Sequence, residues 1–429
     1  MRVSIATAAC LLTFMAGLSA QPPQVPLPST PADCLKAARD LQAARTKEAG
    51  RPMTSEKYRG IQQEVTEFAR GCAARMSVDT VPTDQLVPLA ELYLQASQAD
   101  LADRAVTLAI ERAGGDPLAR AKALVAATNI VMRQPISDAR NARAEGYVDE
   151  LDALPGAVTR QKIEGHGRLN AYYRADDIDA GIIKHSTRII ELGRQLATRD
   201  RDEGVDGTIL AACVNLAEAW AGQERTSEAL DLLRRGLAEL KGVPNLEARI
   251  EPLIQRYELV GKPAAPIVAP RWLNAPPGTG SMKLDGGVTW LQFTAHWCGP
   301  CREAYPAAVK LHDRFGTKGF RVVMATELYG YFGTQRSLAP TDELAAISAY
   351  FPEHGITFPV AVSDPAPIVE ENGRQVRKVN VNDANYHVSG IPQIHIIDRH
   401  GVVRLIMIGY DTANYDRLEA LVARLLDAR

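Results

Sequence analysis

The stretch VTWLQFTAHWCGPCREAYPAAVKLHDRFG, residues 288–316, constrains the fold of this chain more than any other. An almost unbroken apolar run leads directly into two cysteines separated by Gly299 and Pro300, and a helical pattern follows. A run without polar alternation suits a strand buried on both faces. Pro300 suits the first turn of a helix, where its missing N–H costs nothing. Cys298 is therefore expected where a buried strand gives way to a helix N-terminus, whose unpaired N–H groups favour a thiolate. Cys301, three residues on, shares the face of that first turn, with Cα atoms about 5 to 6 Å apart, a spacing a disulfide accepts.

Two sulfurs so placed can hold a metal, brace the chain or exchange electrons. A structural zinc needs four ligands, yet no further cysteine follows Cys301, and the spacing of His296 and His395 does not demand their recruitment. A bridge across two intervening residues removes little unfolded-state entropy. Redox exchange is the reading left, with Cys298 attacking and Cys301 resolving. No metal and no cofactor is expected.

Downstream, FRVVMA (320–325) and FPVAVS (358–363) read as strands and TDELAAISAYF (341–351) as a helix. QIHIID (393–398) and VVRLIMIG (402–409) read as a hairpin, closed by the helix YDRLEALVARLLDA. That order predicts an α/β domain over 281–429 whose mixed sheet is covered on both faces. Residues 34–259 differ: they are rich in Ala, Leu, Arg and Glu, with apolar positions every three or four residues, and predict an all-α domain. Two segments there, 89–117 and 213–237, resemble tetratricopeptide repeats, through Leu89, Leu92, Tyr93, Ala96 and Ala105 in the first and Leu216, Ala217, Trp220 and Ala229 in the second. A third segment, around 163–190, fits poorly. Prolines 263, 266, 270, 276 and 277 predict a semi-rigid linker over 260–280 and a domain boundary.

The first 20 residues hold Arg2, an apolar run and Ala20, the pattern of a cleaved signal peptide, and a proline-rich leader follows over 21–33. The chain is thus expected in the periplasm or cell envelope. Its 49 basic and 51 acidic side chains give no positive excess of the kind nucleic acid requires. In an oxidising compartment cysteines can pair. Cys34 and Cys72 fall at neighbouring ends of an antiparallel helical hairpin, close enough for a disulfide. Cys213 lies mid-helix on an apolar stripe and reads as a buried, inert thiol.

WCGPC at 297–301, set between a strand and a helix, together with SGIPQIHIID at 389–398, resembles the thioredoxin superfamily. The preceding PRWLNAPP, the insertion between the second and third strands and the export pattern are most similar to TlpA-like envelope thiol:disulfide oxidoreductases. The resemblance covers about residues 268–429. It implies a thioredoxin fold, catalysis by Cys298 and Cys301 in the reducing direction, and a cis bond between Ile391 and Pro392 facing the cysteines. It further implies substrate contacts from Trp297, Ile391 and Pro392, protein disulfides as substrates, and an electron donor in the membrane or envelope. Two positions depart from the family. Gln292 stands where thioredoxins carry a buried acid, and Ala304 where the TlpA-like reductases often carry glutamate, leaving Glu303 and His296 as nearby candidates for the proton acceptor. The helical domain is expected to offer a surface to a peptide or protein partner. The competing reading is an interaction protein whose thioredoxin-like domain docks or senses redox state.

Overall fold

The computed structural model describes residues 27–50, 55–176, 178–371, 374–377 and 379–428. The signal peptide expected over 1–20 lies outside them, as do residues 21–26 of the leader. The chain divides into two compact units, residues 1–109 and 110–429.

The first unit is helical: α1 (Pro31–Ala49), α2 (Ser55–Ala73), α3 (Leu86–Gln95) and α4 (Ala99–Arg112), in which the division falls. Thr30 starts α1, its hydroxyl oxygen accepting from the Asp33 amide at 3.1 Å. Cys34 of α1 and Cys72 of α2, both fully buried, are joined by a disulfide with Cα atoms 6.3 Å apart.

The second unit begins with α5 (Pro117–Met132), α6 (Asp138–Ala153), α7 (Thr159–Ala175), α8 (Asp179–Gln195), α9 (Glu203–Gly222), α10 (Thr226–Glu239) and α11 (Leu246–Tyr257). Asp116, Ser137 and Asp202 cap α5, α6 and α9 with side-chain oxygens. Residues 163–190, which fit the repeat pattern poorly, contribute to the α7 and α8 pair. Their buried faces mix polar side chains with apolar ones such as Leu169 and Ile182, which interrupts the apolar periodicity. His166 and His185 are buried with their Nδ1 atoms 2.8 Å apart, and Ser186 donates to Asn170 Oδ1 at 3.2 Å. These groups meet one another, and His185 Nε2 meets Glu145 Oε1 at 2.9 Å, which lowers the cost of their burial. Gly181 allows the close approach, since a Cβ there would run into the Tyr173 ring.

The remaining elements are β1 (Ile267–Val268), β2 (Arg271–Leu273), β3 (Ser281–Met282), β4 (Val288–Phe293), α12 (Gly299–Phe315), β5 (Phe320–Glu327), β6 (Tyr331–Phe332), β7 (Gln335–Arg336) and α13 (Pro340–Glu353). After them come β8 (Val360–Ser363), β9 (Ile368–Glu371), β10 (Arg374–Arg377), α14 (Val381–Asn385), β11 (Gln393–Ile397), β12 (Val403–Ile408) and α15 (Tyr415–Asp427). Six strands form one mixed sheet in the order β12-β11-β4-β5-β8-β2. Strands β4, β5 and β8 run parallel, while β11, β12 and β2 join by antiparallel pairing.

Alternate residues of the central strands feed two cores. Trp290, Val322, Met324 and Val360 pack with Leu311, Phe351 and Leu418 of α12, α13 and α15. Leu291, Phe293 and Val323 face the other way and share a core with Ile250, Leu253 and Tyr257 of α11. Helices from the N-terminal side of the sequence thus cover the second face of the sheet.

The proline-rich segment 260–280 differs from the linker expected of it. Gly261 and Ala264 donate to the carbonyls of Val403 and Gly401, at 2.8 and 2.7 Å. Strand β1 pairs with β3, and β2 forms an edge of the main sheet against β8. The prolines punctuate the ends of these short strands, where no ladder donor is lost, and the intervening residues supply the amides.

His395 sits in the middle of this sheet, fully buried against the rings of Phe293 and Tyr386. Burial, with the nearby Arg256 charge, pushes its imidazole down to about 3. An unfolded histidine takes up a proton near ~6.5, so below that pH the unfolded state binds more protons than the folded one. Stability present above about 6.5 is then lost as the pH falls toward about 3, at up to about 1.4 kcal/mol per pH unit. His166 and His387, also held low by burial, act in the same direction. Thermal melts between pH 7 and 5 are expected to fall less steeply in His395→Gln than in the parent, and parallel slopes would refute this assignment.

Candidate active site

Strand β4 ends at Phe293, the Thr294 amide still donates to the Ala325 carbonyl at 2.9 Å, and the chain turns through Ala295 to Cys298. Cys298 is the N-cap of α12, with Pro300 in the first turn. Its sulfur occupies the place a capping oxygen normally takes and accepts from the Cys301 amide at 3.2 Å. The two cysteines form a disulfide with Cα atoms 5.2 Å apart. Cys301 has no solvent exposure whereas Cys298 retains 4%. An incoming sulfur therefore meets Cys298 first.

The loop before β11 faces this pair. The Ile391–Pro392 bond is cis, and the Ile391 carbonyl oxygen lies 3.7 Å from Cys298 Sγ. The Gly409 amide donates to the Pro392 carbonyl at 2.9 Å, fixing the far side of the loop to the end of β12. Trp297, half exposed, stands at the rim with its ring 5.5 Å from that of Tyr329.

Gln292, at the position where thioredoxins carry a buried acid, is fully buried and doubly bonded. Its Oε1 accepts from the Trp290 indole at 3.1 Å, and its Nε2 donates to the Cys301 carbonyl at 3.3 Å. A carboxylate could accept from the indole but, ionised, could not donate to the carbonyl. Glu303 is exposed on α12, and Ala304 is packed in the core. His296 is buried among the rings of Tyr329, Tyr331 and Phe332. Burial holds its imidazole below the ordinary value, opposed by the carboxylate of Glu343. His395 is not brought to this site; its Nε2 meets the Gln393 amide nitrogen at 2.9 Å within the sheet. Among the described residues, no cluster of His, Cys, Asp and Glu suits a metal ion.

Glu343 was not singled out by the sequence. It lies in the first turn of α13, where a glutamate ordinarily faces solvent and the helix dipole explains its presence. Here it is fully buried, and its two oxygens accept from the amides of Tyr329 and Gly330, each at 2.7 Å. Its Oε1 is 4.0 Å from His296 Nε2. Only the fold brings α13 beside the 328–330 turn. Replacing Glu343 with Ala strands both amides and is expected to lower stability by about 2 to 4 kcal/mol, with Gln intermediate. Urea denaturation measures this, and a midpoint unchanged in the Ala variant would show the carboxylate to be dispensable.

Comparison with known proteins bears on the same region. Residues 274–422 match the family model for Redoxin. The C-terminal region is a Redoxin domain. Its strand order, with the cysteines at the head of the helix after β4 and a cis-proline before β11, is that of a thioredoxin fold. The thioredoxin-like protein YneN of Bacillus subtilis (strain 168) is 26% identical over 124 residues, which are 29% of this chain and 58% of that protein. The chain thus spans less than two thirds of that relative. A Chlorobium tepidum protein provisionally named thiol:disulfide interchange protein DsbE is 25% identical, covering 39% of this chain and 97% of its own, with a TM-score of 0.29. A thioredoxin-family thiol:disulfide interchange protein from Chlorobium tepidum TLS is 18% identical, covering 39% and 96%, with a TM-score of 0.27. Helices α5 to α11 precede the residues matched by the family model.

Proposed function

We propose that this protein is an exported thiol:disulfide oxidoreductase that reduces disulfides in envelope proteins. The observation that carries the reading is the Cys298–Cys301 pair at the N-terminus of α12, with the Ile391 carbonyl 3.7 Å from the outer sulfur. In the reduced protein, Cys298 thiolate attacks one sulfur of a substrate disulfide, and the other substrate sulfur leaves as a thiolate. Cys301, deprotonated, then attacks Cys298 Sγ and releases the first substrate sulfur. Two electrons pass to the substrate, and the 298–301 bridge forms. A dithiol donor in the membrane or envelope returns the electrons by the reverse exchange.

The helix N-terminus and the Cys301 amide stabilise negative charge on Cys298 both as nucleophile and as leaving group. An extended substrate segment pairs with the backbone of Ile391 beside Pro392 and rests against Trp297. The helical residues 34–259, with their repeat-like segments, present a surface that recruits the partner protein. The relationship to the TlpA-like branch rests on the export pattern and on the sequence around Pro270.

Insulin reduction followed by turbidity, with dithiothreitol as donor, tests the reading. The parent is expected to shorten the lag well below the dithiothreitol-only control, whereas a parent no faster than its Cys298→Ser variant would refute the oxidoreductase reading.

A further inference from the structure

We infer that Arg256, on α11 and outside the Redoxin match, is a positioning residue that fixes the loop before Pro392 for protein disulfides. The inference rests on the oxidoreductase reading above. Arg256 is fully buried, and its guanidinium reaches across from α11 to the loop. Its Nε donates to the His387 carbonyl at 3.0 Å, and its Nη2 donates to Ser389 Oγ. Nη1 has no hydrogen-bond partner among the described residues, and no described carboxylate forms an ion pair with this side chain.

The guanidinium also lies over the Tyr257 ring, 5.9 Å from its centroid, but a buried cation whose hydrogen bonds go only to neutral acceptors is a poor way to stabilise a core, and an apolar side chain of similar volume would do better. What arginine adds is direction. Its planar fork holds two donors at a fixed angle, and here they engage two groups two residues apart. One is the carbonyl of His387, whose φ of 46° is in the left-handed region that a residue with a side chain seldom adopts. The other belongs to Ser389, two residues before Ile391. The neighbouring anchors act elsewhere: the Val388 amide donates to the Asp383 carbonyl, and Gln393 donates to the Tyr386 carbonyl, both at 2.9 Å. Among the described residues, the Arg256 contact with Ser389 is the one side-chain hydrogen bond to a side chain between Val388 and Pro392. Arg256 thereby sets the height of the Ile391 backbone over Cys298, and with it the register in which an extended substrate lies across the sulfur.

Two assays on the reduced full-length protein separate positioning from general folding. Alkylation of Cys298 by iodoacetamide needs no docking on the loop, whereas insulin reduction does. Arg256→Met is expected to lower kcat/KM for insulin about tenfold or more, because misplacement by an ångström is enough for such a loss. The alkylation rate should stay within about twofold of the parent, since the Cys301 amide still caps the sulfur. Arg256→Lys, able to make one of the two bonds, should recover part of the insulin activity. Ser389→Ala leaves the core intact, serves if Arg256→Met does not fold, and should lose insulin activity selectively by about threefold or more. Insulin activity at the parent level in Ser389→Ala and in any folded Arg256 variant would overturn the inference, as would a parallel fall in both assays. Failure of the parent itself on insulin would instead refute the oxidoreductase reading.

Discussion

A reduced Cys301→Ser variant is expected to accumulate as a covalent complex with a protein disulfide substrate, held through Cys298, while Cys298→Ser accumulates none. The asymmetry follows from burial and capping. Cys298 is the member of the pair with solvent exposure, and it sits at the positive end of α12, whereas Cys301 is sealed beneath it. Removing the inner sulfur leaves the first exchange intact and blocks resolution, because the attack that frees the substrate must come from Cys301. Removing the outer sulfur leaves no nucleophile that a macromolecular disulfide can reach, and turnover should fall by at least about a thousandfold, as when a nucleophile is removed from a catalytic unit. Non-reducing electrophoresis and mass spectrometry distinguish the two. Equal trapping by both variants would mean that either sulfur can attack.

The second large effect is expected in the first unit. The Cys34–Cys72 disulfide closes a loop with a sequence separation of 38. In the chain-entropy description, a crosslink of that span stabilises the folded state by roughly 4 kcal/mol. The two helices it joins otherwise rest on a small core built around Ala38, Ile61 and Val65. The double variant Cys34→Ala, Cys72→Ala is therefore expected to lose roughly 3 to 4 kcal/mol. Since two units need not unfold together, amide hydrogen exchange along α1 and α2 is the suitable measurement. Protection factors there should drop by two to three orders of magnitude, about the factor these energies imply. Unchanged protection would show that packing alone holds the helical pair.

The chemistry-bearing segment was legible because its signals are local. An apolar run, two cysteines, a proline at the helix start and a second apolar stretch near Pro392 each speak through neighbouring residues, and β4, α12, β11 and β12 begin or end within two residues of the positions read from them. Several other features were not legible. Residues 163–190 bury His166, Asn170, His185 and Ser186 among their apolar residues, so the apolar spacing that marks a helical pair is diluted. The prolines of 260–280 resemble those of a linker, since a sequence does not reveal which amides between them will find carbonyls on Gly401 and Val403. Glu343 and Arg256 are ordinary helix residues until α13 and α11 are docked. Ile250, Leu253 and Tyr257 fall at the end of the span read as a helical domain, and nothing in that span shows that they pack against Leu291, Phe293 and Val323 of the sheet. Each of these depends on contacts between segments distant in sequence, which periodicity cannot report.

The most direct test of the account is the pH dependence of iodoacetamide labelling at Cys298 in the reduced full-length protein, read by mass spectrometry with Cys213 as an internal control. Cys213 is no more exposed than Cys298, at 4% each, but it lies mid-helix in α9, away from any helix N-terminus, and burial pushes its thiol up to about 12, so it should stay unlabelled near neutrality. Cys298 is expected to label rapidly at pH 7, with a midpoint below the ~8.5 of a free cysteine, because α12 and the Cys301 amide hold the thiolate. A midpoint at or above that value, or a Cys298 as inert as Cys213, would contradict the central claim.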